Sequence, residues 1–405
     1  MNFSTICFFG LAPLFGDAAP WSSASVLFLV GPFLYLAFLV GSRRLVGDVF
    51  RNASPAQSPK RLVPWSVGTA FVVFVCGAVL FPLLAVNAIS LLPPSWFPDF
   101  SSVQAADPSV VPELANAAER DLATQHPLAR LLIRSSATPW AFQTFLLCFF
   151  VAVIAAPFAE EFLFRVLFQG TLENYALQAL LPPSGTPRRP FADAEPENAD
   201  GADATADAPQ SAASDLLSAT EFRWTDPTTP AERRVFYLRS AFAILIPAFI
   251  FGLIHAGAPE TPEEARDPET LNRLFRTMLA AGLANVATLA LGLFFLRRLT
   301  GATTGDVGLG PEFTYKAGRC FSSLRRFALD FYRGVAVFAF IAPVVFGVNA
   351  ALRSFFPNAI VDPLPIFLFA LAEGVVYWRI RRYATVVGMH VALNGTSFAL
   401  LCASL

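Results

Sequence analysis

The sequence predicts an all-α, polytopic membrane bundle of about eight spans, and three observations predict it. Hydrophobic residues make up 55% of the chain and charged residues only 15%, where a soluble domain carries about 25%. Mean hydropathy is +0.54. The apolar residues also fall in long blocks, the pattern of helices whose outer surface meets lipid and whose backbone bonds are satisfied within the helix.

The lead-in Met1 to Gly16 is apolar with no Lys or Arg before its run, so it lacks the basic start of a secretory signal and reads as an interfacial segment. Spans are expected at about Ala24 to Val40 and Val67 to Ile89, with a polar connection over 95–138 that holds an amphipathic helix near Leu114 to Leu132. A third stretch runs from Trp140 to Phe158 and continues as an amphipathic helix towards Leu181, where Pro182-Pro183 stops it. Residues 191–215 are acidic and rich in Ala and Pro, with no Lys or Arg. They hold too little apolar area to offset chain entropy, so 182–234 is expected to be a disordered loop. Spans resume at about Leu238 to Ile254, Met278 to Leu296, Val335 to Leu352, Leu364 to Trp378 and Ala384 to Leu401. Basic clusters at Arg43 to Arg61, Arg297 to Arg333 and Arg379 to Arg382 fall in alternate connections, which places those connections in the cytoplasm and both termini outside. The five cysteines are scattered without a CxxC and read as packing residues. A net charge of −1 gives no sign of a nucleic-acid partner.

A charge at mid-membrane costs at least about 2.5 kcal/mol on insertion scales, so each needs a reason. Glu160, Glu161 and Arg165 follow an apolar run. Glu161 and Arg165 are four apart on one helical face, in the favourable order, and Glu160 is left free. That pattern suits either a carboxylate kept for chemistry or a structural clamp whose spare Glu faces water. Of the three histidines, His126 lies in the polar connection, while His255 ends one span and His390 lies inside the last. Phe251 shares a face with His255, and Asn394 with His390. A further carboxylate, Glu373, either faces a cavity or sits near the membrane interface beside Arg379, and the second is the expectation. Measured along the helices, His255 comes out deeper than Glu160 and His390.

Together these residues resemble the three ordered motifs of the CAAX-protease and bacteriocin-processing (CPBP, Abi) family of intramembrane glutamic endopeptidases. Glu160, Glu161 and Arg165 match the first motif, Phe251 and His255 the second, and His390 and Asn394 the third. On that resemblance residues 1–139 are an N-terminal membrane region, and 140–401 a protease domain interrupted by the acidic loop and by a two-span insertion over 259–362. The chain departs from the family in the length of that loop and in the insertion.

The resemblance implies hydrolysis of peptide bonds in membrane-embedded or lipid-anchored substrates, at the cell membrane and without a covalent intermediate. Glu160, helped by His255, would activate water; Arg165 would hold Glu161; His390 and Asn394 would donate to the carbonyl oxygen. The residues agree in lacking a GxSxG elbow and an HExxH pair. No cofactor is required on this reading, although Glu160, Glu161, His255 and His390 also suit zinc. Two non-proteolytic readings fit the same residues: an inactive scaffold or immunity protein on this fold, and a proton-coupled transporter using Glu and His as a relay.

Overall fold

The structure, a computed structural model, describes residues 23–51, 63–98, 128, 131, 132, 135, 138–178, 230–255, 268–303, 305–309, 320–356 and 363–404. The lead-in, the acidic tract 191–215 and most of the connection over 95–138 lie outside the described residues.

The described residues form eight long helices and no strand. They are α1 (Ser23–Arg51), α2 (Val67–Ser90), α3 (the span Ala141–Tyr175, carried on by the segment Gly170–Gln178), α4 (Pro230–Ile254), α5 (Pro268–Thr300), α6 (Cys320–Phe355), α7 (Pro363–Ile380) and α8 (Tyr383–Ser404). Seven of them, α2 to α8, hold segments long and apolar enough to cross a membrane. The chain is therefore an all-α, multi-pass membrane protein. α1 carries Arg43, Arg44, Asp48 and Arg51 in its second half.

The surface and the interior are inverted relative to a soluble protein. Phe33, Phe71 and Phe142 point outward with about two-thirds or more of their surface exposed, whereas Glu161, Arg165, Gln169 and Glu373 are fully buried. Lipid accepts the phenyl rings, and the charged groups must find partners inside.

Helices α4, α5 and α6 begin earlier than the apolar blocks suggest, at Pro230, Pro268 and Cys320 instead of Leu238, Met278 and Val335. Their first two turns carry arginines such as Arg233, Arg273 and Arg326, because a helix continues past the edge of the hydrocarbon while its hydropathy does not. Leu128, Leu131 and Leu132, at the end of the expected amphipathic helix, are helical and buried against Cys148 and Leu271.

α3 is the central element, touching α2, α4, α5, α7 and α8. Its ladder opens into wide π turns over Phe150–Ala155 and again over Phe162–Gln169. The first has a local cause. Pro157 has no N–H for the Val153 carbonyl, and its ring crowds that oxygen. Pro82 similarly follows the π segment Cys76–Leu80 of α2.

α5 and α6 are built into the bundle. α5 packs along α2 and α3, and α6 along α8 and α1. Small residues make these approaches possible. A Cβ on Gly292 would stand 2.6 Å from Phe162 of α3. At the α6–α8 crossing, a Cβ on Gly334 would stand 1.9 Å from the Thr385 carbonyl oxygen, and one on Gly388 2.2 Å from that of Phe331. One turn away, buried Asp330 accepts from Arg382 Nε at 2.7 Å and from Arg333 at 2.9 Å. The third-motif helix is thus clamped to α6 by backbone contact and by an ion pair.

Candidate functional site

Glu161, Arg165, Gln169 and Glu173 recur every four residues along α3, and all four are buried. In a pure α-helix such a row drifts by about 40° at each step. The wide turns over Phe162–Gln169 counter that drift and keep the row on one face. Arg165 Nε donates to Glu161 Oε2 at 3.2 Å, the pairing expected from the spacing. Arg165 Nη2 donates to the Ala370 carbonyl at 2.9 Å and to Glu373 Oε2 at 3.3 Å. Farther along, Gln169 Nε2 donates to Glu173 Oε1 at 2.8 Å and to the Gly374 carbonyl at 2.9 Å. Arg381 closes the row by pairing with Glu173.

Glu373 corrects a sequence expectation. Its partner is not Arg379; it is fully buried against Arg165. Arg379 instead donates to the carbonyls of Val49 and Phe50 at 3.1 and 2.6 Å, the last turn of α1. Carbonyls at a helix end lack intrahelical donors, and a cation there is favoured. Glu373 faces inward because a shared guanidinium lies on that side.

The three sequence motifs converge. Glu160, about a quarter exposed, has its Oε2 3.6 Å from His390 Nε2 and 3.9 Å from His255 Nε2. His255 stands just past the end of α4 and still reaches Glu160, so the depth mismatch does not arise. Both rings have their Nδ1 atoms engaged by an acceptor. His255 Nδ1 lies 2.7 Å from the Phe251 carbonyl, which only accepts, so Nδ1 carries the proton. His390 Nδ1 lies 2.9 Å from Glu161 Oε1, and an ionised carboxylate likewise accepts. Each ring therefore turns its Nε2 towards Glu160. Phe251 packs on both, with ring centroids 4.4 Å from His255 and 5.6 Å from His390, and Phe369 lies 5.8 Å from His390. These rings wall the imidazoles against other orientations.

Asn394 is engaged elsewhere. Its Nδ2 donates to the Ala152 carbonyl at 2.8 Å, across to the first π segment of α3, which leaves one N–H of the amide for other work. Asn394→Ala is expected to lower kcat on the order of 10²–10³-fold if that N–H serves an oxyanion. Loss of the Ala152 bond alone would cost only about 0.6–1 kcal/mol in thermal unfolding. Steady-state kinetics beside a melting curve separates the two.

Donor atoms of Glu161, Glu373 and His390 also lie within 4.8 Å of one another. The guanidinium of Arg165 already bridges both carboxylates, so that trio has its cation. Gln169, Glu173 and Glu373 are the residues that sequence reasoning passes over or misplaces. The four-residue spacing from Glu161 is a readable signal for the first two. No protein-family model, curated protein or solved structure matches the chain.

Proposed function

We propose that the chain is an intramembrane endopeptidase of the cell membrane that hydrolyses peptide bonds in membrane-embedded or lipid-anchored proteins through water activated by Glu160. The observation that supports it is the meeting of a partly exposed carboxylate with the Nε2 atoms of two imidazoles whose orientation is fixed through Nδ1, inside an apolar bundle. The spacings of 3.6 and 3.9 Å exceed hydrogen-bond length and let one water lying beside the groups contact Glu160 and an imidazole together. In the reaction Glu160 Oε2 takes a proton from that water. The oxygen adds to the carbonyl carbon, and the carbonyl electron pair moves onto its own oxygen. Collapse breaks the C–N bond, and the proton held by Glu160 passes to the leaving nitrogen. Glu161, fixed by Arg165, orients His390 beside the reacting group.

A divalent metal such as zinc is a second reading, favoured by one observation. Imidazole Nδ1 groups tied to a carbonyl and to a carboxylate are the arrangement that orients metal-ligating histidines. On that reading Glu160, His255 and His390 would hold the ion and Glu161 would stand behind His390. The ion would supply Lewis acidity.

The test compares the protein termini in membranes carrying wild type with those carrying Glu160→Gln, with and without chelator. New termini that depend on Glu160 and survive chelation are expected. Loss on chelation with recovery on zinc favours the metal, and identical termini in all membranes contradict proteolysis.

A further inference from the structure

We propose that Glu373 is a positioning residue of this site: through Arg165 it holds Glu161 in the orientation that keeps the His390 proton on Nδ1. The proposal deepens the reading above and rests on His390 being the imidazole that faces the reacting group.

The chain of contacts is short and entirely buried. Glu161 spends one oxygen on His390 Nδ1 at 2.9 Å and the other on Arg165 Nε at 3.2 Å, and its carboxyl group also meets that of Glu373 directly, so its plane is set by these three neighbours. The guanidinium is planar, so fixing one edge fixes the other. Its far edge is fixed from α7, where Nη2 meets the Ala370 carbonyl at 2.9 Å and Glu373 Oε2 at 3.3 Å. Ala370 and Glu373 lie three residues apart on α7, on the face turned to Arg165. Gly374, next along α7, lets that helix approach its neighbours closely: a Cβ there would stand 2.7 Å from Ile244 of α4 and 3.3 Å from Gln169 Oε1 of α3. Without an acceptor at Glu373 the fork keeps only a backbone oxygen on α7. It is then free to rotate, and the Glu161 carboxylate with it. A merely structural role for Glu373, joining α3 to α7, would alter stability and leave the His390 tautomer alone.

The chain holds three histidines, so ¹⁵N-histidine labelling of the purified full-length protein gives few imidazole signals, and a sample carrying both His126→Gln and His255→Gln leaves His390 as the one labelled imidazole. Wild type is expected to show His390 protonated at Nδ1. Glu373→Gln keeps an acceptor for Arg165 and is expected to keep that spectrum and a kcat close to wild type. Glu373→Met removes the acceptor at similar volume. It is expected to give a mixture of tautomers and to lower kcat about 10–100-fold with little change in KM, a loss of the size seen when a metal-bound imidazole loses the partner that orients it. Should Glu373→Met fail to fold, Glu373→Asp carries the comparison, since it draws the carboxylate back by one methylene; a partial shift in both readouts is then expected. A His390 spectrum unchanged from wild type in Glu373→Met, or in Glu373→Asp where the Met variant does not fold, overturns the proposal, even where kcat falls. A shifted spectrum with unchanged kcat overturns it as well. If wild type cleaves nothing, the spectra still decide the role of Glu373, and the proposed function alone fails.

Discussion

Arg165→Ala is expected to be lost at the level of folding, before any question of catalysis. The side chain is fully buried and joins Glu161 of its own helix to Glu373 and the Ala370 carbonyl of α7. Its removal leaves two buried carboxyl groups facing each other without a cation. Breaking a buried pair by deleting one partner typically costs about 3–5 kcal/mol, and here one deletion breaks two pairs. The expected result is low yield, or a large drop in the thermal transition of detergent-purified protein. Arg165→Lys retains the charge without the fork and should fall between. Wild-type stability in Arg165→Ala would contradict the burial of this cluster.

The motif residues are legible because their partners lie nearby in sequence. Glu161 and Arg165 are one turn apart, as are Phe251 and His255, and each pair makes the contact its spacing predicts. The third pair shows the limit of that logic. His390 and Asn394 share a face, yet one bonds Glu161 and the other Ala152, because partners on another helix decide where each side chain ends. Sequence misplaces Glu373 for the same reason: Arg379 lies close along the chain, while the true partner Arg165 lies on α3, across the bundle. The Gly334–Gly388 crossing is invisible in sequence, since a glycine in a helix does not announce which backbone approaches it. Helix existence is readable from hydropathy. Helix starts are not, because α4, α5 and α6 extend beyond the apolar window.

Glu160→Gln is expected to have the opposite profile to Arg165→Ala. Glu160 keeps part of its surface exposed and, among the described residues, its nearest polar partners are the two imidazoles, so an isosteric amide is readily housed. Stability should match wild type. The amide cannot take a proton from water, and loss of a positioned general base typically costs about 10²–10⁴-fold. The expected result is a fall in kcat of that size with KM little changed. His255→Gln should fall less far, because His390 still presents its Nε2 to Glu160.

The central claim, that Glu160 and the two imidazoles form a hydrolytic centre within the membrane, is tested most directly by cleavage kinetics of purified wild type and Glu160→Gln. Both are reconstituted in the same liposomes with a membrane-embedded reporter peptide, and the melting temperature of each sample is recorded. Wild type is predicted to cleave the reporter, Glu160→Gln to show a kcat at least about 10²-fold lower, and the two melting temperatures to be equal. Cleavage by Glu160→Gln at the wild-type rate, or no cleavage of any membrane-embedded peptide by folded wild type, would contradict it.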